Sequence, residues 1–237
     1  MKKKAAITSN IDSSDLHCEH CKRTFVREST LLKHMCEHKR RWLDKDRPSN
    51  RIGFNAYAQF YKKNYSSKTK TYDDFMRSNY YTAFVKFGSY CINVNVVNPA
   101  RYVDYLLDNK IGIDSWDSDK SYTAYLLQYL KHEAVTDAIT RSAENLDKLA
   151  QEFNILTRDV LRYGNPSTIC NHIVSGRISP WVLWQSDAGR EFLESKLTSE
   201  QTQWIFDYIN PEQWQLKFIR NPEEVTLAKE QLKQMGI

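Results

Sequence analysis

Cys18, Cys21, His34 and His38 are the residues of this 237-residue chain whose types and spacing point most directly to chemistry. Two thiols separated by two residues can both point inward from a tight turn, and two imidazoles at i and i+4 lie on one face of a helix. Together they make a tetrahedral sulfur and nitrogen donor set for zinc, so the expected cofactor is one Zn2+ per chain.

So short a unit needs a small apolar core beside its metal, and Leu16, Phe25 and Leu31 stand at the positions that supply one. These seven positions resemble the C2H2 zinc-finger family, without insertion or ligand substitution, over residues 16–38. The resemblance implies a ββα unit. It places Arg27 just before the helix and Ser29, Thr30 and Lys33 on its exposed face, with Arg27, Thr30 and Lys33 facing successive bases of duplex DNA. Arg and Lys can each donate to guanine O6 and N7, which suggests a G-containing site. Lys22, Arg23 and Lys39 are expected to meet phosphates. His17, His20 and Cys36 crowd the same stretch at a less suitable spacing and are read as bystanders.

One finger reads about three base pairs, too few for tight recognition alone. The following segment can add affinity. Residues 39–70 carry Lys39, Arg40, Arg41, Lys45, Arg47, Arg51, Lys62, Lys63, Lys68 and Lys70 against only Asp44 and Asp46. Of these, Arg40, Arg41, Arg47, Arg51, Lys62 and Lys63 join Lys39 as expected phosphate contacts. No second Cys-Cys-His-His set follows, which departs from multi-finger transcription factors. Phe54, Tyr57, Phe60, Tyr61 and Tyr65 recur at helical spacing within this segment. They read either as a core face or as stacking platforms for unpaired bases.

The charge is polarised. Residues 1–70 hold 17 Lys and Arg against 7 Asp and Glu, whereas residues 71–237 hold 17 against 22. That is the footprint of a phosphate-binding segment joined to a neutral-to-acidic domain. Residues 1–15, with Lys2, Lys3 and Lys4, lack periodicity and read as a mobile basic arm. No apolar run after these lysines has the length of a signal-peptide core or a membrane span. With zinc-binding thiolates, the protein is expected to be soluble and intracellular in a reducing compartment: bacterial host cytoplasm if phage-encoded, nucleus if eukaryotic.

From Tyr72 onward the periodicity is helical. Asn98-Pro99, Asn165-Pro166, Asn210-Pro211 and Asn221-Pro222 each offer an N-cap acceptor followed by a pre-set φ, marking four helix starts. Ser118–His132 and Ala134–Phe153 read as helices, and Thr198 with Gln201 as a capping box. Tyr81 to Gly88 reads as a buried helix in which Gly88 permits close packing; Ile92–Val97 alternates enough to compete as a strand. The expected fold is mainly α: an N-terminal ββα finger (16–38), a basic linker with a short aromatic helix (39–71) and an all-α domain of eight to ten helices (72–237). The region from Tyr72 on faintly resembles uncharacterised tailed-bacteriophage proteins, and that resemblance transfers no residues.

No GxSxG, GxxxxGK, HExxH or GxGxxG occurs, so no catalytic residues are assigned and a non-enzymatic role is expected. Cys170 and His172 point to different faces of a helix, and Asp114, Asp117 and Asp119 read as a turn and cap. Arg177 and Trp181, beside Trp184, form either a partner surface or a packed corner. The functional expectation is a zinc-dependent nucleic-acid-binding accessory protein, with duplex DNA as partner and residues 72–237 contacting a protein or a second copy. A protein-docking adaptor and an RNA or single-stranded DNA binder are the alternatives.

Overall fold

A computed structural model describes residues 16–65 and 69–237. The arm expected at 1–15 and residues 66–68, among them Lys68, lie outside the described residues. The chain divides into two compact units, one ending at Ser89 and the other running from Tyr90 to Ile237. The division falls inside a helix, well past the boundary at 71/72 suggested by composition.

In the first unit the helices are α1 (Glu28–Lys33), α2 (Glu37–Leu43), α3 (Pro48–Tyr65), α4 (Tyr72–Arg77) and α5 (Tyr81–Val94), the last crossing into the second unit. No strand forms among the described residues. The ββ hairpin of the expected finger is reduced to one isolated antiparallel bridge between His17 and Thr24. Within the expected linker at 39–71, the aromatic residues lie on an 18-residue helix, α3, that buries Asn50, Gly53, Ala56 and Tyr57. Its aromatic residues are part of a core: Tyr57 lies 5.2 Å from Phe75 and 5.6 Å from Phe84, ring to ring, and Phe54 lies 5.9 Å from Phe75. Asn50 Nδ2 ties this core to the end of α2, donating to Asp44 O and to the Tyr81 hydroxyl at 2.8 and 3.1 Å.

Close approach of α3 and α5 requires glycine on both helices. A Cβ on Gly88 would stand 2.0 Å from Ser49 O, and one on Gly53 would stand 2.6 Å from Phe84 O. The competing strand at 92–97 does not form, because α5 continues to Val94.

The second unit contains α6 (Pro99–Asp108), α7 (Asp119–His132), α8 (Val135–Phe153), α9 (Val160–Tyr163), α10 (Pro166–Val174), α11 (Pro180–Gln185), α12 (Asp187–Ser195), α13 (Ser199–Ile209), α14 (Pro211–Arg220) and α15 (Pro222–Gln234). All four Asn-Pro pairs open helices. Asn98, Asn165 and Asn210 accept from backbone N–H groups of their helices' first turns. Asn221 instead donates to Lys217 O, closing the helix before it. α8 packs on α11 and α15, α11 on α12, and α10 on α13.

Trp181 is fully buried against Trp214 and Phe218, which makes the Ser-Gly-Arg-Ile-Ser-Pro-Trp stretch a packed corner. Buried tyrosines keep their hydroxyls satisfied: Tyr125 donates to Val97 O at 2.9 Å and Tyr102 to Trp116 O at 3.2 Å. Glu133, with a fully buried side chain, accepts from Ser179 Oγ at 2.8 Å and Arg141 Nη2 at 2.7 Å. Burial raises its pKa, while Arg141 opposes the rise.

Candidate metal centre

The chain turns sharply at its first two thiols. Cys18 N donates to Arg23 O at 2.9 Å and Lys22 N to Cys18 O at 2.8 Å, with Lys22 in the left-handed region at φ 60°. Phe25 N then donates to Leu16 O at 2.7 Å, and the Phe25 ring rests 4.7 Å from that of His34. α1 runs only six residues. His34 is its C-cap at ψ 123°, and Cys36, at ψ 165°, is the N-cap of α2.

This break decides the ligand set. His34 and His38 share a helical face only if one helix runs through both, and here the chain is extended between them. Cys36 takes the fourth place: the ligand atoms of Cys18, Cys21, His34 and Cys36 all lie within 4.8 Å of one another. His38 falls in the first turn of α2, outside this group, with its Nδ1 buried and without a hydrogen-bond partner. Where spacing led to the expectation of Cys18, Cys21, His34 and His38, the structure gathers Cys18, Cys21, His34 and Cys36 as a group that could hold a metal ion. The signal was present in His34-Met35-Cys36, but the family pattern directed attention to His38.

The tetrad fits a tetrahedral zinc ion. With Zn–S near 2.3 Å and Zn–N near 2.0 Å, ligand atoms sit about 3.8 Å apart for two sulfurs and about 3.5 Å for sulfur and nitrogen. Cys18 Sγ to Cys36 Sγ measures 3.9 Å, and Cys21 Sγ to His34 Nε2 measures 3.3 Å. Burial raises the Cys18 pKa, but backbone N–H groups of Cys21 and His20, aided by the Cys21 and Cys36 thiols, outweigh it and leave the group below its ordinary value. Cys36 Sγ also accepts from Lys39 N at 3.3 Å. Four protein donors leave no open position, so the chemistry such an ion would supply is structural. All five cysteines are free thiols.

Around the tetrad, the expected nucleic-acid residues separate into two groups. Arg27, the N-cap of α1, and Thr30 and Lys33 on that helix are exposed, and Lys22, Arg23, Arg40 and Lys62 are exposed as well. Lys39 is half-buried with Nζ toward His34 O. Arg47 pairs with Asp44 at 2.9 Å and Arg51 with Asp46 at 3.4 Å, both in solvent. Lys63 is exposed but engaged in a contact of its own. Arg41 is used internally: it donates to Met76 O, pairs with Glu37 and lies 4.3 Å over the Tyr81 ring. That anchors α2 and removes Arg41 from any phosphate-binding face.

Elsewhere, Cys170 is buried with its thiol pushed up to about 11, and Cys91 to about 12, both by desolvation. No helix among the described residues is long and apolar enough to cross a membrane. No protein-family model, curated protein or solved structure matches the chain.

Proposed function

We propose that the N-terminal unit is a zinc-dependent, non-enzymatic nucleic-acid-binding module that engages duplex DNA through phosphates and a few base edges. The second unit then connects this contact to a protein partner or a second copy. The observation that carries the reading is the face formed by Arg27, Thr30 and Lys33. These residues are exposed, stand at i, i+3 and i+6, and lie between Cys21 and His34 of the Cys3His tetrad. Among the described residues no carboxylate pairs with Arg27 or Lys33, so both cations remain available to a polyanion.

The test is duplex DNA binding across a salt series. Each neutralised phosphate contributes about 0.9 to the slope of log K against log salt. Arg27→Ala combined with Lys33→Ala is expected to weaken binding by about 1–3 kcal/mol and relax the preference for a G-containing site, with zinc content unchanged. Unaltered affinity and sequence preference would remove these residues from the base-reading face.

A second reading, a protein-docking module, is favoured by a specific feature. Val26, Leu32, Met35 and Leu43 are exposed apolar side chains on the same small unit. It predicts weak, salt-insensitive DNA binding and a partner interaction lost with Cys18→Ser. Single-strand stacking on α3 has less support, because Tyr57 is buried and Tyr61 is half-buried among other rings. A Tyr57→Ala, Tyr61→Ala variant retaining full single-strand affinity would end that reading.

A further inference from the structure

The second unit holds a cavity of 470 Å³ whose wall brings three cations to one place: Arg141 and Lys148 from α8, and Arg177 from the turn between α10 and α11. The turn is built for this. Gly176 adopts φ +76°, a conformation L side chains avoid, and a Cβ there would meet Leu126 at 2.6 Å. Arg177 N is fixed to His172 O at 2.8 Å, and Arg141 Nε donates to Gly176 O at 2.7 Å. Both guanidinium groups are thus placed by the same corner.

Their electrostatic states differ. Arg141 is neutralised by Glu133 at 2.7 Å. Arg177 and Lys148 have no carboxylate within ion-pair distance among the described residues, and Arg177 Nε is buried without any acceptor. That Nε is closed off from solvent, so it is the rest of the Arg177 side chain, which lines the cavity, that can face a ligand. His172, within electrostatic reach of both cations, is pushed down to about 4 chiefly by burial and so adds no charge at neutral pH. Asp137 and Glu144 also line the cavity, facing a ligand with acceptors rather than cations. This arrangement suits a ligand that ends in an oxyanion and carries hydroxyl donors elsewhere.

We propose that this cavity binds a hydroxyl-bearing phosphomonoester, its phosphoryl oxygens seated against Arg177 and Lys148 and its hydroxyls toward Asp137 and Glu144. Arg presents paired N–H donors to such a group, and Lys adds a point charge. The site is separate from the zinc-bearing unit and does not depend on the nucleic-acid reading.

The full zinc-loaded protein should be titrated with glycerol phosphate, with sodium chloride matching ionic strength, and followed by calorimetry and thermal unfolding. Wild type is expected to bind saturably and gain thermal stability. Lys148→Gln, at an exposed position, should bind roughly tenfold more weakly, and Arg177→Gln at least as poorly. Arg27→Ala with Lys33→Ala should bind like wild type, which separates this site from the N-terminal cations. No saturable binding by wild type, or equal binding by wild type and Lys148→Gln, would overturn the proposal.

Discussion

Cys36 acts twice: its sulfur belongs to the tetrad, and the same sulfur caps α2 by accepting from Lys39 N. A substitution that keeps one role and removes the other is therefore informative. Ser is a good N-cap but a poor zinc ligand. Cys36→Ser is expected to preserve α2 while zinc content falls well below one equivalent. His38→Ala should retain one full equivalent, since His38 stands outside the donor group. Metal analysis of freshly purified reduced protein, together with the absorption of a cobalt-substituted sample, decides between them. Zinc retained by Cys36→Ser and lost by His38→Ala would restore the Cys2His2 centre. His34 needs no such choice, because its ring is placed by Phe25 and its Nε2 already faces Cys21.

At the level of elements, the closest constraint is the crossing of α3 and α5. Alanine is favoured over glycine within a helix by about 1 kcal/mol, yet at Gly88 the new methyl would meet the carbonyl oxygen of Ser49 at 2.0 Å. Backbone cannot yield as a side-chain tip can, so overpacking costing about 1–3 kcal/mol or more outweighs the propensity gain. Gly88→Ala should lower the urea midpoint, whereas Gly112→Ala, with nothing within 4 Å of the added carbon, should not. Equal midpoints for the two variants would refute the packing argument. Gly88 was legible in the sequence as a glycine inside an apolar helix; Gly53 was not, because only the partner helix gives it a reason. The same distinction runs through the fold. The Asn-Pro starts and the Thr198–Gln201 box act within a few residues, so sequence reveals them. α9 and α11, four and six residues long, are too short for a periodicity and owe their existence to buried Val160, Leu161, Trp181 and Leu183. The break between α1 and α2 belongs with them, because no Gly or Pro marks it.

Across the whole molecule, positive charge and the Cys3His tetrad fall in the same unit. Residues 1–89 hold 19 Lys and Arg against 9 Asp and Glu, and residues 90–237 hold 15 against 20. The tetrad lies in the basic unit, yet that unit has a second source of order in the rings of α3, α4 and α5. Arg41 ties α2 to that aromatic core through Met76 O and Tyr81, and Asn50 holds the carbonyl of Asp44. Metal binding free energy is folding free energy only for the segment that lacks another core. Chelating the zinc should therefore unfold locally. Hydrogen exchange is expected to accelerate over residues 16–36 while α3, α5 and the helices from α6 onward keep their protection, with α2 intermediate. The same chelated sample should lose duplex DNA affinity, because the face bearing Arg27, Thr30 and Lys33 belongs to the released segment. Protection lost evenly along the chain would make zinc a global determinant of folding. Unchanged exchange at 16–36 would mean that hydrogen bonds such as Cys18 N to Arg23 O hold the turn without the ion, and the tetrad would then have no structural role.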